Sequence, residues 1–269
     1  MRLSVNHTTR YEYDTALAYS VQRLYLTPLD FAAQRVVEWK ISAPGIDTAL
    51  TYLDGFGNRV HLVTFHDLEG PVTIGASGIV DVSDAAGLVK GLACPAPDAV
   101  FLRQTKATLP SAPIRALADK VAAARGGTLD RLHGLMGEIH GKVAYVLGST
   151  HANTTAAEAF ADGRGVCQDH AHIMIGAARA LGFPARYVTG YLVTGDGASA
   201  TAAHAWAEAL VPDLGWTGFD AANGTCPTDH YVRVAAGIDA AGVTPIRGSR
   251  RGGTTERMTV EVRVEIAQQ

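Results

Sequence analysis

The chain has 269 residues, 47% hydrophobic and 18% charged, enough apolar content for a full core and too little charge for a disordered chain. Its net charge of −3 leaves no basic stripe for a nucleic-acid surface, and no apolar run approaches the ~18 residues of a membrane span. Three cysteines, Cys94, Cys167 and Cys226, do not form an even disulfide framework. The opening stretch, Met1 to Thr9, has no apolar h-region, so no secretory signal is expected and the cytoplasm is the expected compartment.

In chain order, residues 1–100 read as an N-terminal antiparallel β domain, sandwich-like. Leu3, Val5 and His7, then Tyr11 and Tyr13, alternate with polar neighbours as in a half-buried strand. Further strands are predicted over Ser20–Thr27, Gln34–Ser42, Ala49–Leu53, Arg59–Phe65 and Val72–Val82. Asp54-Gly55-Phe56-Gly57-Asn58 carries turn chemistry between two of them. His7, His61 and His66 are expected to be strand or surface histidines. Four prolines between Ala93 and Pro113 mark a boundary, which leaves 101–269 as the second domain.

Helical spacing follows over Ile114–Arg125 and Leu129–Val146. The second carries one apolar stripe of Leu132, Leu135, Met136, Ile139 and Val143, with Tyr145 at its end as a candidate border of a cleft. His133 and His140, seven apart, lie on one face that is expected to be solvated. A short helix is expected over Thr155–Gly163, capped by Thr154 or Thr155.

Asp162-Gly163-Arg164-Gly165 then turns into Cys167, which opens a run that is apolar or small at nearly every position to Leu181. A helix apolar almost all round belongs inside a protein, and Gly182 with Pro184 supplies its stop. Cys167 therefore sits at a helix mouth, where unpaired N–H groups favour thiolate. A free cysteine is commonly just a small core residue; the turn and the helix mouth favour a reactive one. Cys94 and Cys226 are read as inert thiols, with a redox link between Cys226 and Cys167 left open.

Ala185–Val193 reads as a strand, and Gly195–Ala200 as a flexible loop that could cover a cleft. Strands then carry His204 (Ala202–Val211) and Asp220 (Trp216–Asp220), joined by a short turn at Pro212–Gly215. Two such strands can set His204 beside Asp220, with the other imidazole nitrogen facing Cys167. Asp169 and His172 are expected to tie the helix to neighbouring loops. Asn223-Gly224 turns the chain, and His230–Ala235 resumes a strand. Gly248–Gly253 reads as an exposed loop, and Arg257–Ile266 as a half-buried terminal strand.

Several blocks together resemble the bacterial transglutaminase-like cysteine protease family: Gly165–His172, Arg179–Leu192, His204–Glu208 and Gly215–Asp220 in the core, with His7–Tyr13 and Asp54–Arg59 near the start and Asp229–Val232 and Thr244–Gly248 near the end. The resemblance implies an α+β fold in which a transglutaminase/papain-like core, its buried Cys-bearing helix packed on an antiparallel sheet, follows the β domain. It agrees with a Cys167–His204–Asp220 triad acting on an amide through a thioester.

The residue pattern predicts acyl transfer, with hydrolysis of a peptide or isopeptide bond favoured over transglutaminase-type cross-linking or deamidation. The Cys167 N–H serves as one oxyanion donor, and Gln168 or a neighbour as the second. A zinc site from Cys167, His170 and His204 with Asp220, or a non-catalytic peptide-binding module, are the alternatives. No calcium-loop pattern occurs, so no metal or other cofactor is expected. The expected partner is a peptide or protein substrate, not nucleic acid or membrane; oligomeric state is left open.

Overall fold

The computed structural model describes residues 1–193, 203–253 and 255–267. The alternating pattern of the first hundred residues folds as six strands: β1 (Arg2–Tyr13), β2 (Leu17–Thr27), β3 (Gln34–Ser42), β4 (Leu50–Leu53), β5 (Arg59–Leu68) and β6 (Val72–Val82). Two strands from the far end of the chain join them, β13 (Ile246–Gly252) and β14 (Glu256–Ile266). The result is two four-stranded antiparallel sheets, ordered β14-β1-β6-β3 and β13-β2-β5-β4. Their inner faces meet on side chains such as Leu17, Leu24, Val63, Phe65, Val72 and Ile74, the alternate positions that the period of two points inward. Trp39 on β3 also donates its indole N–H to the Leu26 carbonyl at 3.0 Å, tying one sheet to the other.

The segment 101–269 thus gives its last two strands to the N-terminal sandwich. Leu3 is paired with Ile266 and Tyr13 with Glu256 along the whole of β1, while β13 runs against β2 from Leu24 to Leu17. Gly248–Gly253, read as a loop from its glycines and arginines, lies mostly inside β13. Pairing with β2 overrides the weak local preference. In β14 only Val262 and Val264 of the alternating apolar set are buried, because the neighbouring sheet covers just that part of the strand.

Between these ends lies the helical and second-sheet portion: α1 (Ala112–Ala122), α2 (Thr128–Lys142), β7 (Ala144–Tyr145), α3 (Ala156–Asp162), β8 (Arg164–Gly165), α4 (Cys167–Ala180), β9 (Ala185–Leu192), β10 (Ala203–Val211), β11 (Gly215–Phe219) and β12 (Tyr231–Gly237). The sheet is ordered β11-β10-β9-β12, antiparallel throughout. Helix α4 packs on β9 and β10, with α1, α2 and α3 around it, and it is buried from Asp169 to Arg179, as an all-round apolar helix must be. Gly182, at φ 82, closes it.

Helix α2 ends at Lys142, four residues before the periodicity suggested. Val143 is already extended at φ −114 and ψ 111, and Ala144-Tyr145 pair in parallel with Arg164-Gly165. The β-branched and aromatic residues there favour extended backbone. The five residues of the predicted α2 stripe, Leu132 through Val143, are all buried. Thr155 caps α3 reciprocally with Glu158.

Sandwich and second sheet are joined by buried polar contacts. His7 on β1 meets the Tyr191 hydroxyl of β9 at 2.9 Å, so it is an interface residue, and burial lowers its imidazole to about 4. Two carboxamides cover the outer edge of β12. Gln34 exchanges hydrogen bonds with the backbone of Arg233 at 2.8 and 2.9 Å, and Asn58 does the same with Ala236 at 2.8 Å each. An amide side chain presents the same donor and acceptor as a strand, so an exposed edge is closed without one. The turn at Asp54–Asn58 holds Asn58 for this: Asp54 accepts from the Phe56, Asn58 and Asn58 side-chain N–H groups at 2.9 Å. No helix among the described residues is long and apolar enough to cross a membrane.

Candidate active site

Cys167 is the first residue of α4, and its sulfur is only half-buried. The helix start is secured by Asp169, whose Oδ2 accepts from the Val166 N–H at 2.8 Å and the Thr150 hydroxyl at 2.6 Å. A side chain on Gly165 would collide with Asp169, its Cβ falling 2.7 Å from the Asp169 Cβ, so only glycine lets the chain pass this closely before the turn. His172, two turns in, accepts from the Ala240 N–H at 3.2 Å. Both residues act as ties.

His204 stands on β10 opposite Gly190 of β9. In the β10–β11 pairing Ala207 faces Phe219, so the next residue, Asp220, falls on the His204 side, two positions along. The result is a 2.7 Å contact between His204 Nε2 and Asp220 Oδ2. Asp220 is buried and fully engaged: it accepts from the Tyr231 hydroxyl at 2.9 Å, from Asn223 Nδ2 at 2.7 Å, and from the backbone N–H groups of Ala222 and Asn223 at 3.0 and 3.3 Å. The Trp206 and Tyr231 rings pack against the imidazole.

Burial opposes a charge on His204, but hydrogen bonds to Asp220 and to the Cys167 thiol, with the charges of both, outweigh it and raise the imidazole from 6.5 to about 9. With Nε2 committed to Asp220, the ring's other nitrogen is the one left for the thiol. Burial would likewise push the Asp220 carboxyl up, yet His204, Asn223 and Tyr231 hold it below its ordinary value. His204 and Asp220 are thus in contact, and Cys167 lies near enough to the ring to help raise it. Asn223 and Tyr231 were not singled out: Asn223-Gly224 carries only a turn signal and Tyr231 only a strand signal.

Tyr145 borders Cys167 through the pairing of β7 with β8, which sets it level with Gly165. Burial, then the charges of Cys167 and Asp220, raise its hydroxyl. Gln168 spends its side-chain amide on the Ala152 carbonyl at 3.1 Å, so that amide is engaged in the rim rather than turned to Cys167. His170 points both ring nitrogens at carbonyl oxygens, Val166 at 2.9 Å and Val143 at 3.0 Å, which takes it out of a zinc set. No group of three His, Cys, Asp or Glu side chains among the described residues is placed to hold a metal.

The three cysteines are free thiols. Cys226 lies 3.4 Å from His133 Nε2, and burial raises its thiol. His140 Nδ1 donates to the Ala221 carbonyl at 3.2 Å. The α2 histidines lie on an exposed face, as expected, and from it also brace the segment that follows Asp220. The loop predicted over Gly195–Ala200 lies outside the described residues.

Comparison with known proteins agrees with this geometry. Residues 115–221, which span all three candidate residues, match the transglutaminase-like superfamily, and residues 3–81 match the bacterial transglutaminase-like N-terminal region. An uncharacterized protein from Mycobacterium tuberculosis (strain H37Rv) is 30% identical over 285 residues, covering 92% of this chain and 87% of its own. Another from Mycobacterium leprae is 29% identical over 283 residues, covering 97% and 98%. A crystal structure of a candidate cysteine protease from Cytophaga hutchinsonii superposes with a TM-score of 0.74 at 20% identity, covering 99% of this chain and 98% of that one, and so shares the fold.

Proposed function

The chain belongs to the transglutaminase-like superfamily, whose chemistry is thiol-dependent acyl transfer, and we propose that it hydrolyses a peptide or isopeptide bond through Cys167, His204 and Asp220. The observation that carries this reading is the 2.7 Å His204–Asp220 contact, with Cys167 near enough to help raise the same ring.

Cys167 Sγ attacks the amide carbonyl carbon as a thiolate, and the carbonyl electrons move onto oxygen. As they return, the C–N bond breaks and the leaving nitrogen takes its proton from imidazolium His204. A thioester remains on Cys167. Water adds to it, His204 takes the water's proton, the C–S bond breaks, and a carboxylic acid leaves with the thiolate restored. Asp220 holds the ring in one tautomer and stabilises its charged form. The Cys167 N–H at the mouth of α4 would supply one oxyanion donor, and Tyr145, which borders Cys167, is the candidate for the second because the Gln168 side-chain amide is engaged with Ala152. Transfer to an amine would give cross-linking by the same thioester, and would register as amide product when a free amine is added.

The test is the pH dependence of iodoacetamide alkylation, mapped to each cysteine by mass spectrometry, in wild type and His204→Ala. Labelling of Cys167 well below pH 8 and faster than at Cys94 or Cys226, slowed in His204→Ala, is the expected result. Equal labelling of all three cysteines in both proteins would sink the reading.

A further inference from the structure

Three consecutive large apolar side chains, Tyr145, Val146 and Leu147, stand exposed beside Cys167, at 49%, 41% and 76% of their full accessible surface. Single exposed apolar residues are ordinary, but a contiguous run on a rigid segment is a fault in a fold unless it serves contact. This run is held firmly. The Val146 N–H donates to the Gly165 carbonyl at 2.9 Å, and the Ser149 hydroxyl turns back onto the Val146 carbonyl at 2.7 Å. Downstream, the Thr150–Asp169 and Gln168–Ala152 hydrogen bonds lash the same segment to the first turn of α4. Residues 144–152 therefore form a rim fastened twice to the helix that presents the nucleophile and once to β8 just before it.

We propose that Tyr145, Val146 and Leu147 form a subsite for an aliphatic or aromatic side chain of the peptide that acylates Cys167, which makes the substrate class peptides with a large apolar residue next to the reacting amide. The inference rests on the acyl-transfer reading above. Tyr145 is level with Gly165, two residues before Cys167, and Val146 and Leu147 follow it directly into the turn that Ser149 closes on the Val146 carbonyl. A peptide lying along the rim would bring a side chain one or two residues from its reacting carbonyl onto this ledge. Backbone direction agrees: Ala144 and Val146 turn their N–H groups to β8, so those of Tyr145 point away from it, toward the side an extended peptide would take.

The test uses the full-length protein and a proteome-derived peptide mixture, with cleavage sites read by mass spectrometry and kcat/KM then measured on matched peptides bearing Leu, Phe or Ser near the cleaved bond. Wild type is expected to favour the Leu and Phe peptides over Ser by about tenfold or more, the range that one apolar pocket supplies. Leu147→Ser should bring that ratio close to one, Leu147→Phe should retain it, and Leu53→Ser, an exposed apolar residue of the sandwich at 60%, should leave it alone; thermal melts confirm folding. An unchanged ratio in Leu147→Ser, or cleavage by wild type without apolar bias, overturns the ledge. If wild type turns over p-nitrophenyl acetate through Cys167 yet cleaves no apolar-flanked peptide, the ledge falls and acyl transfer stands. An inert ester together with slow Cys167 labelling removes the acyl-transfer reading, and the ledge with it.

Discussion

Strand β10 carries two buried charge clusters four residues apart, and they are built to opposite ends. At His204 the acid Asp220 meets an imidazole that can gain or lose a proton and that is raised in part by half-buried Cys167. At Glu208 the carboxylate is closed in by two guanidiniums: Arg186 Nε at 2.6 Å, and Arg233 at 2.7 and 3.2 Å. Arg186 also stacks over Trp216, 4.0 Å from the ring centre. Burial would raise Glu208, but the two arginines hold it near 2. Neither guanidinium can release its proton in any ordinary range. The second cluster therefore has a fixed charge state and serves as scaffold, clamping β10 to β9 and, over β9, to β12. The first can change state and is where chemistry is possible. Depth alone does not separate them, since both carboxylates are almost wholly buried; the partner decides.

The largest effect that would break the contrast is on turnover. Asp220→Asn should lower kcat/KM about a thousandfold to ten-thousandfold by leaving His204 in the wrong tautomer, measured per folded molecule because the change also removes the partner that stabilises the charged ring. A loss under tenfold would remove Asp220 from the site. Glu208→Ala should do the reverse. Two buried guanidiniums left facing each other cost about 3–5 kcal/mol, read as a lowered denaturant midpoint, while the folded fraction keeps its activity per molecule.

Acidity sharpens the comparison, because the two clusters fail at opposite ends of the pH scale. The raised His204 gives stability that is complete below 6.5 and fades as pH climbs through about 9. The lowered Glu208 gives stability that is present above 4.5 and fades as pH falls toward about 2. In kcat/KM the alkaline limb should lie near 9 and move down in Asp220→Asn, where Cys167 alone is left to oppose burial. A limb that stays at 9 would mean another group titrates. The smallest effect is at Tyr231. Tyr231→Phe removes one of several donors to Asp220 and should cost about 1 kcal/mol, or roughly fivefold in kcat/KM.

The parts that could be read before folding are those with local signals. Period-two alternation marked out β1 to β6, though β2 starts three residues earlier and β5 runs three further than it indicates, and Gly165, Cys167 and Gly182 bracketed α4. His204 and Asp220 were legible because one short turn fixes which residues face each other. What depended on distant partners was not. Gly248 to Gly253 contain three glycines and two arginines, a loop composition that becomes a strand only because β2, from Gln22 back to Leu17, is waiting far earlier in the chain. Val143 to Tyr145 continued a helical stripe until β8 offered an edge. Asn58 and Gln34 looked like turn and strand residues, and nothing near them in sequence announces that they finish the edge of β12. Tyr231 and Asn223 support Asp220 from positions with no chemical signature of their own.

The antiparallel match of β1 with β14 also sets a clock on synthesis. Leu3 leaves the ribosome well before its partner Ile266, which is made on the order of tens of seconds later. Throughout that interval one side of β1 and one side of β2 have no neighbour, and bare edges of this kind recruit other chains. Nascent chains stalled before residue 246 should be cut by added protease within residues 1–27 and become resistant once β14 emerges; resistance at the earlier stage would show that the sandwich closes without them. A cell making this protein quickly would have to shield the opening strands until the last ones arrive.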